Sequence, residues 1–120
     1  MDDDNVALPF ELSTFVKAAH HSGADILTCF MDCFRGAVSS APEFRRLFLG
    51  GPWSAGIFHN CFGDANALVR REVFLDISGF TEDYGVTHED WELFARAVAT
   101  GARLEVVPEV LFRYRLCGTA

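Results

Sequence analysis

A chain of 120 residues, half of them apolar and twelve of them phenylalanine, amounts to one domain with a real core, which excludes a disordered tail. A net charge of -7 and a pI near 4.9 argue against a nucleic-acid backbone or an anionic membrane as the main partner. An acidic protein that handles phosphates needs a bound cation or a few well-placed arginines.

No apolar run approaches the ~18 residues that cross a bilayer. The N-terminus is acidic where a signal peptide would be basic and then apolar, so the chain reads as cytoplasmic. Cys29, Cys33, Cys61 and Cys117 form no C-x-x-C pair and no zinc-type spacing, and are read as reduced, mostly buried thiols.

In chain order, Asp2, Asp3 and Asp4 open the sequence, and as an isolated run they would be a solvated acidic end. Pro9 suits the first turn of a helix whose apolar stripe is Leu12, Phe15, Val16 and Ala19, ended by Ser22-Gly23. Residues 24–34 are β-favouring and short enough to be a buried strand. Residues 35–54 hold Gly36, Pro42, Gly50, Gly51 and Pro52 and read as a long excursion with a helical turn around 43–49.

Gly63-Asp64-Ala65-Asn66 breaks the apolar run before it. Residues 67–70 then predict a short strand entering a helix over 71–77, stopped by Gly79, with a loop over 80–86. The helix that follows starts at Thr87-His88-Glu89-Asp90 and runs to about Thr100. Thr87 and Asp90 have capping-box spacing, and Trp91, Phe94, Ala95 and Val98 mark its buried face. Glu92 and Arg96 are spaced as a solvent-facing pair. Residues 103–107 predict a strand, Pro108 a break and residues 110–114 a second strand.

These segments, taken together, resemble the second half of a glycosyltransferase family 2 domain, which has the GT-A fold of inverting nucleotide-sugar transferases. The resemblance rests on Met1-Asp2-Asp3-Asp4-Asn5, Gly63-Asp64-Ala65-Asn66 with Arg70-Arg71-Glu72-Val73-Phe74, Ser78-Gly79-Phe80, His88-Glu89-Asp90-Trp91 and Val107-Pro108-Glu109 through Arg115, in the family's order. It implies an α/β fold, a mixed sheet flanked by helices. It also implies that residues 1–120 are a single partial domain lacking the donor-nucleotide half, with a sheet edge left open for a partner chain or self-association.

The implied activity is metal-dependent inverting transfer of a sugar, of hexosyltransferase type. The donor is a nucleoside-diphosphate sugar and the acceptor a hydroxyl on a glycan, lipid or small molecule. Asp2 and Asp4 match the D-x-D motif that holds a divalent metal ion, Mn or Mg, against the departing diphosphate. Asp90 matches the general base, with Glu89 beside it. Asp64 and Asn66 fall where the family forms part of the sugar or acceptor site, although a Gly-Asp-x-Asn turn is also ordinary loop chemistry.

Trp53 is a candidate for stacking on a sugar ring, or a core residue. Arg113 and Arg115 are candidates for facing a diphosphate, or for pairing with nearby acids. No Gln-x-x-Arg-Trp motif is present, which favours transfer of a single sugar over chain synthesis. A galactosyltransferase-type domain carries a similar acidic run, but after Trp-Gly-Trp-Gly-Gly, where this chain has Tyr84-Gly85-Val86-Thr87-His88. The alternative to an enzyme is a non-catalytic α/β binding or interaction module that keeps half of the transferase fold.

Overall fold

The computed structural model describes residues 2–83 and 87–117. Its elements are β1 (Val6–Ala7), α1 (Glu11–Ser22), β2 (Ile26–Phe34), β3 (Phe44–Arg46), α2 (Trp53–Gly56), β4 (Leu68–Val69), α3 (Arg71–Asp76), α4 (Glu89–Ala99) and β5 (Leu104–Arg115). Of the loop expected over residues 80–86, Tyr84, Gly85 and Val86 lie outside the described residues, as does Met1.

The fold is α/β, a mixed sheet flanked by helices, as expected. Strands run in the order β1-β5-β2-β3, with β4 paired to the start of β2. The spine is the parallel pair β2 and β5, while β1, β3 and β4 join antiparallel. β2 is an almost unbroken run of buried residues, the pattern of a strand covered on both faces. Its alternation divides the core. Leu27, Cys29, Met31 and Cys33 pack with Phe15 of α1, Val107 and Phe112, whereas Ile26 packs with Phe62 and with Leu93, Phe94 and Ala97 of α4.

Several expectations need correction. Residues 44–46 form an edge strand and not a helical turn: Arg45 lies opposite Asp32 of β2 and grips both its carboxylate oxygens, at 2.7 and 3.1 Å. Pro108 does not end the last strand. The register steps from Cys29 opposite Val107 to Phe30 opposite Val110, so Pro108 and Glu109 bulge out, exposed, and β5 resumes beyond them. A bulge removes the need for the N–H that proline lacks. In α1 only Phe15 of the expected stripe is buried; Leu12 and Val16 face outward.

α4 differs at its start and in its face. His88, not Thr87, is the N-cap, in a left-handed conformation at φ 62°, with no side-chain cap. Asp90 accepts a hydrogen bond from the N–H of its neighbour Trp91 (2.7 Å) instead of closing a capping box. The buried face is Leu93, Phe94 and Ala97, with Trp91, Ala95 and Val98 only half-buried. Arg96 pairs with Glu92 (2.8 Å) as its spacing suggests, but it also donates to the carbonyls of Ile77 and Gly79, so the pair is a clasp on the α3–α4 connection.

Candidate active site

At the carboxyl ends of β2 and β5 a cavity of about 740 Å³ opens. Ligands of α/β sheets collect at such strand ends, where loops diverge and backbone groups are no longer consumed by the ladder. β2 contributes Met31 and Cys33, and β5 contributes Tyr114 followed by Leu116. Asp2, Arg46, Leu47, Phe48, His59 and Asn60 form one part of the wall, and Gly63, Asp64, Ala65 and His88 through Trp91 the other.

The Asp64 turn is aimed by packing. Thr28, fully buried in β2, donates its hydroxyl to the Phe62 carbonyl at 2.6 Å. Gly63, at φ 147°, lies so close to Thr28 that a Cβ there would fall 2.4 Å from the Thr28 Cβ. Asn60 holds the same turn from outside, its amide donating to the Gly63 carbonyl at 2.9 Å. Asp64 then accepts the Asn66 N–H at 3.0 Å, the short-range bond of an Asx turn.

Asp64 and Asp90 both have pKa values raised above the ordinary carboxylate range, chiefly because burial opposes ionisation. Backbone N–H groups work against this: that of Asn66 at Asp64, and that of Trp91, helped by Ala65, at Asp90. Negative neighbours push up again, Asp90 and Asp2 acting on Asp64, and Glu89 on Asp90. Tyr114 is also raised, by burial and then by Asp64 and Asp2, so it enters the cavity as a neutral hydroxyl. Burial likewise raises the thiol of Cys33.

Of the residues expected to form a site, Asp2, Asp64, Glu89 and Asp90 come together in this cavity. The others do not line it. Asp4 turns aside, its carboxylate taking the Cys117 thiol at 3.3 Å and its carbonyl the Arg115 Nε at 3.0 Å. Asn66, 5 % exposed, donates its side-chain amide to Glu11 at 3.1 Å and so ties α1 to the turn. Trp53 stands on α2 away from the wall, and the tryptophan that lines the cavity is Trp91, whose indole N–H donates to the Gly56 carbonyl at 2.5 Å.

Arg113 and Arg115 point to the opposite face of β5 from Tyr114. Their guanidinium groups lie over the Phe34 ring at 4.3 and 4.7 Å and donate to the carbonyls of Val38 and Ser40, and of Gly36, holding the 36–40 loop. Tyr114 and Arg46 line the cavity but are not among the residues expected there. The alternation that singles out Arg113 and Arg115 also puts Tyr114 on the other face with Phe112. Arg46 has only its place in the 35–54 excursion to mark it.

Among the described residues no group of three or more His, Cys, Asp or Glu is arranged to hold a metal ion. The hard donors on the wall are the carboxylates of Asp2, Asp64, Glu89 and Asp90. That suits a cation whose remaining ligands are phosphate oxygens and water, the usual manner for magnesium and open to manganese, rather than an all-protein cage. No helix among the described residues is long and apolar enough to cross a membrane.

No curated protein matches the chain. The family model described as glycosyltransferase like family 2 matches residues 38–118, from the loop before β3 past the end of β5. The match takes in Asp64, Glu89 and Asp90 but begins after Asp2 and Asp4. Covering about two thirds of the 120 residues, over an α/β fold consistent with a GT-A type domain, it establishes that this chain belongs to the glycosyltransferase like family 2.

Proposed function

We propose that the chain performs the acceptor side of an inverting transfer, from a nucleoside-diphosphate sugar to an acceptor hydroxyl, with Asp90 as general base. The observation that carries this is the meeting of Asp2, Asp64 and Asp90, distant in sequence, on one cavity at the ends of the parallel strands. An alcohol is a weak nucleophile until its proton is drawn away in the transition state. The Asp90 carboxylate takes that proton as the acceptor oxygen attacks the anomeric carbon. The bond from that carbon to the diphosphate oxygen breaks on the far side, its electron pair leaves with the nucleoside diphosphate, and the configuration inverts.

Burial, and to a lesser degree Glu89, make Asp90 a stronger base than a free aspartate, and the Trp91 N–H holds it in one orientation. Asp2 and Asp64 would hold the divalent ion, Mn or Mg, which when bound neutralises charge on the leaving diphosphate. Arg46 adds a positive group to an otherwise acidic wall, and the Tyr114 hydroxyl a neutral donor. The transferred group is a single hexose.

The test is Asp90→Asn in the full-length protein, assayed with a panel of nucleoside-diphosphate sugars. Transfer is expected to fall by about 10²-fold or more, with donor binding nearly unchanged. Transfer within tenfold of the parent assigns the base elsewhere.

A second reading, a non-catalytic module that accepts a partner strand, is favoured by the edge of β5. There β1 pairs only with Phe112 and Arg113, and no other described strand joins that side. It predicts concentration-dependent association and no thermal shift with manganese and nucleoside diphosphate. A metal-dependent rise in Tm counts against it.

A further inference from the structure

Glu11, 8 % exposed, is the only charged residue buried among the described residues. It shares the inner side of α1 with Phe15, one turn on, where an apolar side chain would continue the packing. Among the described residues no cation pairs with it. Its carboxylate accepts one hydrogen bond, from the side-chain amide of Asn66 at 3.1 Å, and Asn66 is itself buried. A carboxylate taken out of water loses several hydrogen bonds, and the positive end of the α1 dipole offsets only part of that loss. Glu11 is therefore better accounted for by what it holds than by what it adds to the core.

What it holds is one side of the Asp64 turn. Before Asp64 the turn is pinned by Thr28, through the Phe62 carbonyl, and by Asn60, through the Gly63 carbonyl. Beyond Asp64 the chain does not rejoin the sheet until β4 begins at Leu68. The bonds between are local: the Asn66 N–H to the Asp64 carboxylate at 3.0 Å, and the Ala67 N–H to the Ala65 carbonyl at 2.9 Å. The bond from Asn66 to Glu11, 55 residues away, fixes that local structure to α1.

The tether opposes a real force. Asp90 and Asp2 both repel Asp64, so a turn loose on this side would let its carboxylate swing out of the cavity. Cutting the bond would leave the Asn66 amide buried without an acceptor, and a buried unpaired donor moves toward water and takes its neighbours with it. Neither Glu11 nor Asn66 lines the cavity, so both act through Asp64.

Resting on the reading above of Asp64 as a carboxylate that receives the divalent ion, we propose that Glu11 is a positioning residue: through the Asn66 side chain it holds the turn that aims Asp64 into the cavity. The test compares Glu11→Leu, which removes the acceptor, with Glu11→Gln, which keeps an oxygen for the Asn66 amide. The first readout is amide hydrogen exchange by NMR, in full-length protein free of metal and nucleotide. In Glu11→Leu the N–H at position 66 is expected to exchange about 10- to 100-fold faster, with the β2 amides within about threefold of the parent and Glu11→Gln close to the parent throughout. The second readout is calorimetric titration with Mn²⁺ and UDP, GDP, CDP or dTDP in turn. Affinity is expected to fall about 10- to 100-fold in Glu11→Leu and to be kept in Glu11→Gln.

Unchanged exchange at position 66 in Glu11→Leu, or equal acceleration in Glu11→Gln, overturns the tether. So does acceleration of every amide together, which assigns Glu11 to stability alone. If Glu11→Leu does not fold, Asn66→Ala cuts the same bond from the other side and is read by the same two measurements. A parent protein that binds none of the nucleotides with Mn²⁺ faults the metal reading of Asp64 and leaves the exchange result to decide the tether. A parent that binds one of them no more tightly than Glu11→Leu does faults the tether.

Discussion

Asp64 and Asp90 are carboxylates held where burial opposes their ionisation, so each weakens the fold when it is charged. A folded pKa above the ordinary Asp value of 3.8 means that the native state keeps its proton longer than the unfolded chain does. Their effect on stability is absent in acid, below that ordinary value. It grows as pH rises from that value through the folded pKa values and is complete above them. Asp64→Asn and Asp90→Asn preserve an oxygen for the Asn66 and Trp91 N–H groups. Both should therefore raise Tm at neutral pH, with the gain vanishing in acid, as followed by calorimetry across pH. A drop in Tm at neutral pH would mean that the charge is better solvated than its burial implies.

Gly63 is the other residue on which the site turns. Its φ of 147° and its contact with Thr28 leave a side chain no place. Gly63→Ala should cost about 2–4 kcal/mol in urea unfolding, and any folded remainder should have a displaced Asp64 and weakened donor binding.

At the scale of elements, α4 and β5 present the cavity but are secured by contacts remote from it. Arg96 ties α4 to the end of α3 through the carbonyls of Ile77 and Gly79 as well as through Glu92. Arg96→Lys keeps the charge but loses the planar fork, and a destabilisation of about 1–2 kcal/mol is expected by urea titration. Equal stability would show that the Glu92 pair alone carries the contact. In β5 the alternation was legible, but not which face looks into the cavity. Alternation separates Phe112 and Tyr114 from Arg113 and Arg115; which set faces the cavity depends on how β5 lies against β2 and on the Phe34 ring that receives the two guanidinium groups. Chemistry favoured the arginines, and packing placed the tyrosine.

Across the whole molecule, acids from the N-terminus, the Asp64 turn and the start of α4 share one cavity, a repulsive arrangement that a cation would relieve. Excess Mn²⁺ with a nucleoside diphosphate should raise Tm beyond an ionic-strength control, by up to about 2.7 kcal/mol of stabilisation at a hundredfold excess over Kd. Asp2→Asn and Asp64→Asn should abolish the rise, and Asp4→Asn, whose carboxylate faces Cys117, should leave it. If Asp4→Asn also abolishes it, the acidic terminus rearranges when the ligand binds.

From the amino acids alone came the buried β2 and the ends of α1 and α3, because periodicity and glycine positions are local; the grouping of Asp64, Glu89 and Asp90 was implied only by the order of motifs that the chain shares with the family. Asp4 and Asn66 could not be placed that way. Each lies within two residues of a cavity residue in sequence, yet Cys117 and Glu11, far along the chain, draw their side chains elsewhere. The bulge that absorbs Pro108 likewise depends on strand register, and the outward display of Leu49, Trp53 and Phe58 on anchoring through Cys61 and Trp91. Those are long-range contacts, and only the folded chain contains them.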